Sequence, residues 1–213
     1  MAKTTTMAEP FVENPELLGR VPLDLAGKNR IYGFWVFLAG ESTLFASFIG
    51  AFLALRHQVG DGPGAQDLFS LPLVAVATVA LLTSSLTTAL ATHALQKGSL
   101  RGVQRWILVT TILGEIFLGI QAYEFYEYML HYGFGFETSA FSSAFYTLVG
   151  FHGLHVSFGL FWLLSLLFNS YLRNGISEEL GSRIFVASLY WHFVDVVWVI
   201  IFSIVYLMGI LGV

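Results

Sequence analysis

No cysteine occurs anywhere in this chain. It can therefore form no disulfide, attach no haem through a C-x-x-C-H pair, and offer no thiolate to copper, zinc or iron–sulfur. Any redox metal held by these residues would have to use the six histidines. Charge is scarce too: charged residues make up 11% of the chain, the formal net charge is −4, and there is no basic run, which removes nucleic acid as a partner. The polar residues 1–30, with Pro10, Pro15 and Pro22, lack the short apolar core and small-residue cleavage site of a secretory signal. They read as an N-terminal surface tail ahead of a membrane domain over 31–213.

What the chain has in excess is apolar surface. With 56% hydrophobic and 16% aromatic residues, it is far more apolar than a soluble domain. Apolar segments over about 31–55, 71–95, 106–130, 141–172 and 184–212 each exceed the ~20 residues that cross a bilayer as a helix. The expected fold is all-α, an integral membrane bundle of five transmembrane helices joined by short loops. Lys3, Arg20, Lys28, Arg30, Lys97, Arg101, Arg105, Arg173 and Arg183 fall in the tail or the even loops, and Arg56 falls on the other side. That asymmetry predicts a cytoplasmic N-terminus and a C-terminus outside. Trp35 and Trp106 sit near the inner ends of the first and third segments, where interfacial aromatics belong.

Counting from the inner-edge arginines at 1.5 Å per residue puts Glu41 (after Arg30), Glu115 (after Arg105) and Asp195 (after Arg183) about 15–18 Å deep, near the midplane. The same count from Arg173 places His152 and His155 about 27–32 Å away, in the outer half. A charge at the bilayer centre costs roughly 2.5–3.5 kcal/mol on insertion scales, so these groups need partners or a function. The pair His192 and Asp195, three residues apart in the run Tyr190–Trp198, can satisfy itself across one helical turn and brace the last helix. The sharper reading of the same groups is a proton path or a metal site. For Glu41, flanked by Gly40, Ser42, Thr43, Ala46 and Ser47, close helix packing and space for a lipid headgroup, water or partner both stand.

His152 and His155 share a face with Gly153 between them. Haem ligation would need a histidine from another helix at matching depth. Donation to a backbone carbonyl, a carboxylate or a lipid phosphate is the favoured reading. The hydroxyl cluster Thr83–Thr88 reads as a packing seam. Gln121, Tyr123, Glu124, Tyr126 and Glu127 gather towards the outer edge, where carboxylates reach water or a loop.

The run YWHFVDVVW (Tyr190–Trp198) resembles the last helix of subunit III of the haem–copper terminal oxidases. GFHGLHV (Gly150–Val156) resembles that family's second signature, and GFWVFLAGESTLFASF (Gly33–Phe48) its helix with a buried, carbodiimide-reactive carboxylate, which falls at Glu41. The likeness runs from Lys28 to Gly209 and fits the shorter, five-helix bacterial form. It implies a non-catalytic subunit of a proton-pumping cytochrome c oxidase in the bacterial cell membrane. Such a subunit binds no haem, copper or other metal of its own; those lie in partner subunits. It packs directly on subunit I, alongside subunit II and a small subunit IV, binds phospholipid, and sustains proton uptake and resistance to turnover inactivation. Glu41 would be the buried carboxylate; His152, His155 and Glu124 would make lipid or interhelix polar contacts; and His192 with Asp195 would be structural. Two positions depart from the pattern. Glu115 stands where relatives carry a small or apolar residue, and Asn169 stands near the place of a lipid-contacting arginine, with Arg173 a turn later.

Three alternatives follow from the same residues. Subunit III of a quinol oxidase shares these motifs. A membrane cytochrome b anchor would ligate haem through His93, His152, His155 and His192. A small transporter or proton channel would use the layer of Glu41, Glu115 and Asp195.

Overall fold

The computed structural model describes residues 25–60, 62–172 and 176–212. Among these residues, five helices are long and apolar enough to cross a membrane. They are α1 (Leu25–Leu55), α3 (Leu71–Gln96), α4 (Leu100–His131), α5 (Ala140–Tyr171) and α6 (Glu178–Ile201), the last continuing through a π-helical turn (Phe202–Leu207) into the short α7 (Met208–Leu211). A four-residue helix, α2 (Ala65–Leu68), lies between α1 and α3. The chain is thus an all-α, multi-pass integral membrane protein. Of the polar tail expected over 1–30, residues 1–24 lie outside the described residues, as does Arg173.

Helices α4, α5 and α6 begin before their apolar segments, each on a serine cap. Ser99, Ser139 and Ser177 accept hydrogen bonds from the backbone N–H of Gly102, Ser142 and Leu180 at 3.2, 3.0 and 3.2 Å, satisfying donors that have no intrahelical partner. Ser142 returns a capping-box contact to Ser139 N–H. Left-handed Gly98 (φ 68°) and Gly133 (φ 61°) turn the chain after α3 and α4, a conformation in which a side chain would be strained. The loop after Gly133 is packed rather than loose. Phe134 is fully buried, its carbonyl accepts the Tyr146 hydroxyl at 2.6 Å, and its N–H donates to Tyr128 O at 2.9 Å.

The core forms around two tryptophans of α6. Trp191 and Trp198, two turns apart, both point inward and are fully buried. Their indole N–H groups donate to hydroxyls on α3, Trp191 to Ser84 Oγ at 2.9 Å and Trp198 to Thr78 Oγ1 at 3.0 Å. Small residues make room for them: a Cβ at Gly114 of α4 would lie 2.8 Å from Trp191, and one at Gly159 of α5 would lie 3.1 Å from it. Threonines finish the α3–α4 seam, with Thr87 Oγ1 2.7 Å from Thr110 Oγ1. The π-helical turn adds a residue to the repeat, so adjacent Val205 and Tyr206 both face the interior. Helix α1 is the least covered span, burying 17% of its most apolar stretch against 33–39% for the others, and it leans on α5 and α6 only through one edge that includes Leu38, Phe45 and Phe52.

Candidate functional site

Two membrane-depth carboxylates have partners inside the bundle, and each sits in a different cluster. Glu41 projects from α1 towards α5, where its Oε2 lies 3.1 Å from His155 Nε2. The side chains are 20% and 12% exposed, so the contact sits at the rim of the bundle rather than in its centre. His155 Nδ1 is 2.9 Å from the carbonyl of Phe151. A carbonyl can only accept, so Nδ1 carries a proton and donates. One more proton must then lie between Nε2 and Oε2, on the imidazole or on the carboxyl. In either arrangement the pair is neutral as a unit, which is the condition for leaving two ionisable groups at bilayer depth. Tyr190 donates to the carbonyl of His155 at 3.0 Å, tying α6 to the same turn of α5. Phe45 meets the His155 ring edge-on at a centroid distance of 5.0 Å. Beside the pair, Phe37, Phe151, Leu154, His155, Phe158 and Tyr190 line a shallow apolar groove of about 200 Å3.

The contact corrects the depth reckoning for the histidines. Helix α5 has 32 residues, about 48 Å, against a hydrocarbon core of ~30 Å. Counting inward from Arg30 and from Arg173 puts Glu41 and His155 at different depths, and on helices longer than the core neither count fixes the level. His155 shares the level of Glu41.

The second cluster is formed by Glu124. Its place in the sequence suggested water or a loop and the resemblance an interhelix polar contact; it is 2% exposed, faces inward and bonds across to Tyr206. Tyr128 donates to its Oε1 at 2.9 Å; Gln121 Nε2 and the Tyr206 hydroxyl donate to Oε2 at 3.0 and 3.1 Å. The reason is helical phase. Glu124 continues the row Ile107, Thr110, Gly114, Phe117 and Gln121 that α4 buries, while Tyr123 and Tyr126 stand on the opposite, exposed face. This spacing was present in the sequence and would have identified the inward position. The tyrosine partners come from the next turn of α4 and from the π-helical turn after α6, which no local pattern signalled.

The remaining intramembrane groups behave differently from the expected pairing. His192 and Asp195 do not bond each other: His192 Nδ1 is 2.8 Å from Ser85 Oγ on α3. Asp195 sits between Trp191 and Trp198 on the buried face, 3% exposed, and no hydrogen bond reaches either carboxyl oxygen among the described residues. Ser85 also faces it, outside hydrogen-bond geometry. The α3 hydroxyl captures His192 before the intrahelical turn can. His152, expected to contact lipid or a polar group, is fully buried with both ring nitrogens unbonded. It stacks on Trp198 at 5.2 Å and meets Phe117 edge-on at 5.9 Å, so it serves as an aromatic core residue. Glu115 lies on an exposed face of α4.

These histidines are therefore committed separately, to Glu41, Ser85 and an aromatic stack, and His93 is exposed. Among the described residues no group of three or more His, Cys, Asp or Glu is placed to hold a metal ion. The fold and its polar contacts define a membrane bundle in which Glu41 with His155, Glu124 with Tyr206, and Ser85 with His192 join one helix to another, while His152 and Asp195 are buried without a side-chain hydrogen bond among the described residues.

Comparison with known proteins makes the class specific. The family model for cytochrome c oxidase subunit III matches residues 25–210, and the chain belongs to that family. It is 53% identical to cytochrome c oxidase subunit 3 of Alkalihalophilus pseudofirmus, over 88% of this chain and 91% of that one. It is 48% identical to the cytochrome c oxidase subunit 3 of Bacillus sp. PS3, over 99% of both, and 43% identical to quinol oxidase subunit 3 of Bacillus subtilis, over 87% of this chain and 90% of that one. As a member, the chain is a non-catalytic subunit of a respiratory terminal oxidase.

Proposed function

We propose that this chain is subunit III of a bacterial cytochrome c oxidase, embedded in the cell membrane with its N-terminus in the cytoplasm, and that it supports the catalytic subunit's proton uptake and working lifetime. The observation that carries the reading is the Glu41–His155 pair at the wall of an aromatic groove. A shared proton at bilayer depth, next to an apolar, aromatic-lined groove, suits a subunit that holds phospholipid and tunes a neighbour's proton supply without moving electrons itself. The distribution of basic residues supports the orientation. The two cytochrome c oxidase relatives named above share 53% and 48% identity with the chain and the quinol oxidase relative 43%, which favours cytochrome c as the donor.

Subunit I is the partner that α1 suits. The side of α1 that the bundle leaves open carries Gly33 and, two turns on, Gly40, Thr43, Ser47 and Gly50 at intervals of three or four, and added Cβ atoms at the three glycines would meet nothing within 4 Å. Small residues in that pattern let a second backbone approach closely. Glu124 and its tyrosines, and His192 with Ser85, act as internal braces between helices; Asp195 belongs to the same tryptophan-lined layer.

The test is Glu41→Gln in the whole oxidase. The variant should abolish carbodiimide labelling at this position and shorten the number of turnovers before inactivation, while leaving the initial rate near that of the parent. An unchanged turnover lifetime would remove Glu41 from the proposed role.

A further inference from the structure

Among the described residues, Glu115 is the one acid near the middle of a spanning helix that the bundle leaves facing outward. It is the sixteenth of the 32 residues of α4, counting from Leu100, so each helix end is about 22–24 Å away. It lies on the exposed face with Leu108, Ile112, Ile116 and Gly119, opposite the buried row that carries Glu124. No hydrogen bond or ion pair links it to any described residue. The other acids of this depth are accommodated within the chain: Glu41 shares a proton with His155, and Asp195 is enclosed by the core.

Hydrocarbon offers a carboxyl group neither water nor a headgroup at this depth, and intramembrane acids accordingly face protein or a watery cavity. Neighbouring positions suit a protein. A Cβ at Gly119, one turn along, would meet nothing within 4 Å, and Ala122 is exposed beyond it, so another helix can approach the α4 backbone closely beside the acid.

We propose that the Glu115 face of α4 docks a transmembrane helix of another subunit of the same oxidase, and that this helix presents a side-chain hydrogen-bond donor to the Glu115 carboxyl at mid-depth. The proposal rests on the oxidase-subunit reading and adds a second contact face to the open side of α1. A carboxyl that accepts from a partner's donor fixes the depth and rotation of the two helices, which apolar packing alone leaves loosely specified.

The test uses the oxidase in its own membrane. A photoreactive benzoyl-phenylalanine replaces Ile116, beside the acid, and in a second strain replaces Phe161 on the exposed face of α5; irradiated products are mapped by mass spectrometry. Separately, Glu115→Gln and Glu115→Leu oxidases are washed with increasing detergent, and retention of this chain with the haem-bearing subunits is measured. Because Glu115 has no partner among the described residues, both variants should keep the parent's tryptophan fluorescence melting curve. The proposal expects the Ile116 probe to join a transmembrane peptide of another oxidase subunit that carries a donor side chain within a turn of the cross-link. It also expects Glu115→Leu to lower retention roughly three- to tenfold, with Glu115→Gln falling less. Cross-links to lipid alone, or to a second copy of this chain, overturn it while leaving the oxidase reading intact, as does equal retention of all three proteins. If no haem protein co-purifies with the parent chain, the oxidase reading fails and takes the proposal with it.

Discussion

Gly114→Ala tests whether Trp191 is the centre of this bundle. The new methyl carbon would lie 2.8 Å from Leu160 Cδ2 and from Trp191 Cη2. Neither neighbour yields easily, since Trp191 is fully buried and its indole N–H is held by Ser84 at 2.9 Å. Overpacking of this kind costs about 1–3 kcal/mol. Alanine is the better helix former by up to ~1 kcal/mol, which offsets part of the loss and leaves a net destabilisation of about 0–2 kcal/mol. Gly119→Ala on the same helix isolates the steric part, because its Cβ meets nothing within 4 Å and only the helix gain remains. The two variants should therefore differ by about 1–3 kcal/mol, or roughly 2–12 °C in melting temperature for a chain of this size. Thermal melts of the purified protein in one detergent, followed by tryptophan fluorescence, measure the difference directly. If Gly114→Ala melts with or above Gly119→Ala, the close packing of α4 on Trp191 is wrong.

Other substitutions address the polar clusters one at a time. Glu124→Ala leaves the hydroxyls of Tyr128 and Tyr206 and the amide of Gln121 without their acceptor in the core, and should destabilise by more than Tyr206→Phe, which removes one donor at a cost of about 1 kcal/mol; equal melting curves for the two would contradict the cluster. Ser85→Ala removes the partner of His192 Nδ1 and should cost about 1–3 kcal/mol in the same assay, whereas a neutral result would show that His192 finds another partner. Trp198→Phe loses the bond to Thr78 and part of the stack on His152, so it should lower stability, and Thr78→Val should lower it by a smaller amount; a Thr78→Val loss as large as that of the tryptophan would place the effect in α3 instead.

The spans were readable from hydropathy because bilayer thickness forces long apolar runs, and each of the five became a helix. Their starts were less readable. Ser99 and Ser177 cap α4 and α6 well before the apolar segments at 106 and 184, since a short polar turn needs only its cap to be helical. The common level of Glu41, Glu115 and Asp195 came from counting residues, and the chain's partners divide them afterwards: Glu41 meets His155, Asp195 is enclosed, and Glu115 faces out. Counting put Glu41 and His155 at different depths although they touch, because helices longer than the membrane is thick leave the starting level of each count open. Local spacing also misjudged His192 and Asp195, where an i,i+3 pair could have closed on itself but Ser85 of α3 supplies a better-placed oxygen. Cross-helix contacts of this kind join residues more than a hundred positions apart, and single-helix periodicity carries no information about them.

The central claim is that this chain serves a terminal oxidase without carrying its redox groups, and a reduced-minus-oxidised spectrum tests it most directly. The oxidase is purified in mild detergent through a tag on this chain, its spectrum is recorded, and the spectrum is taken again on the chain after it has been stripped from its partners. The account predicts haem absorbance in the complex that stays with the other subunits, and a colourless isolated chain. Haem that follows this chain through the separation would contradict it, and would place histidines of this chain in an axial role against the bonds of His155 to Glu41 and of His192 to Ser85 and the stack of His152 on Trp198.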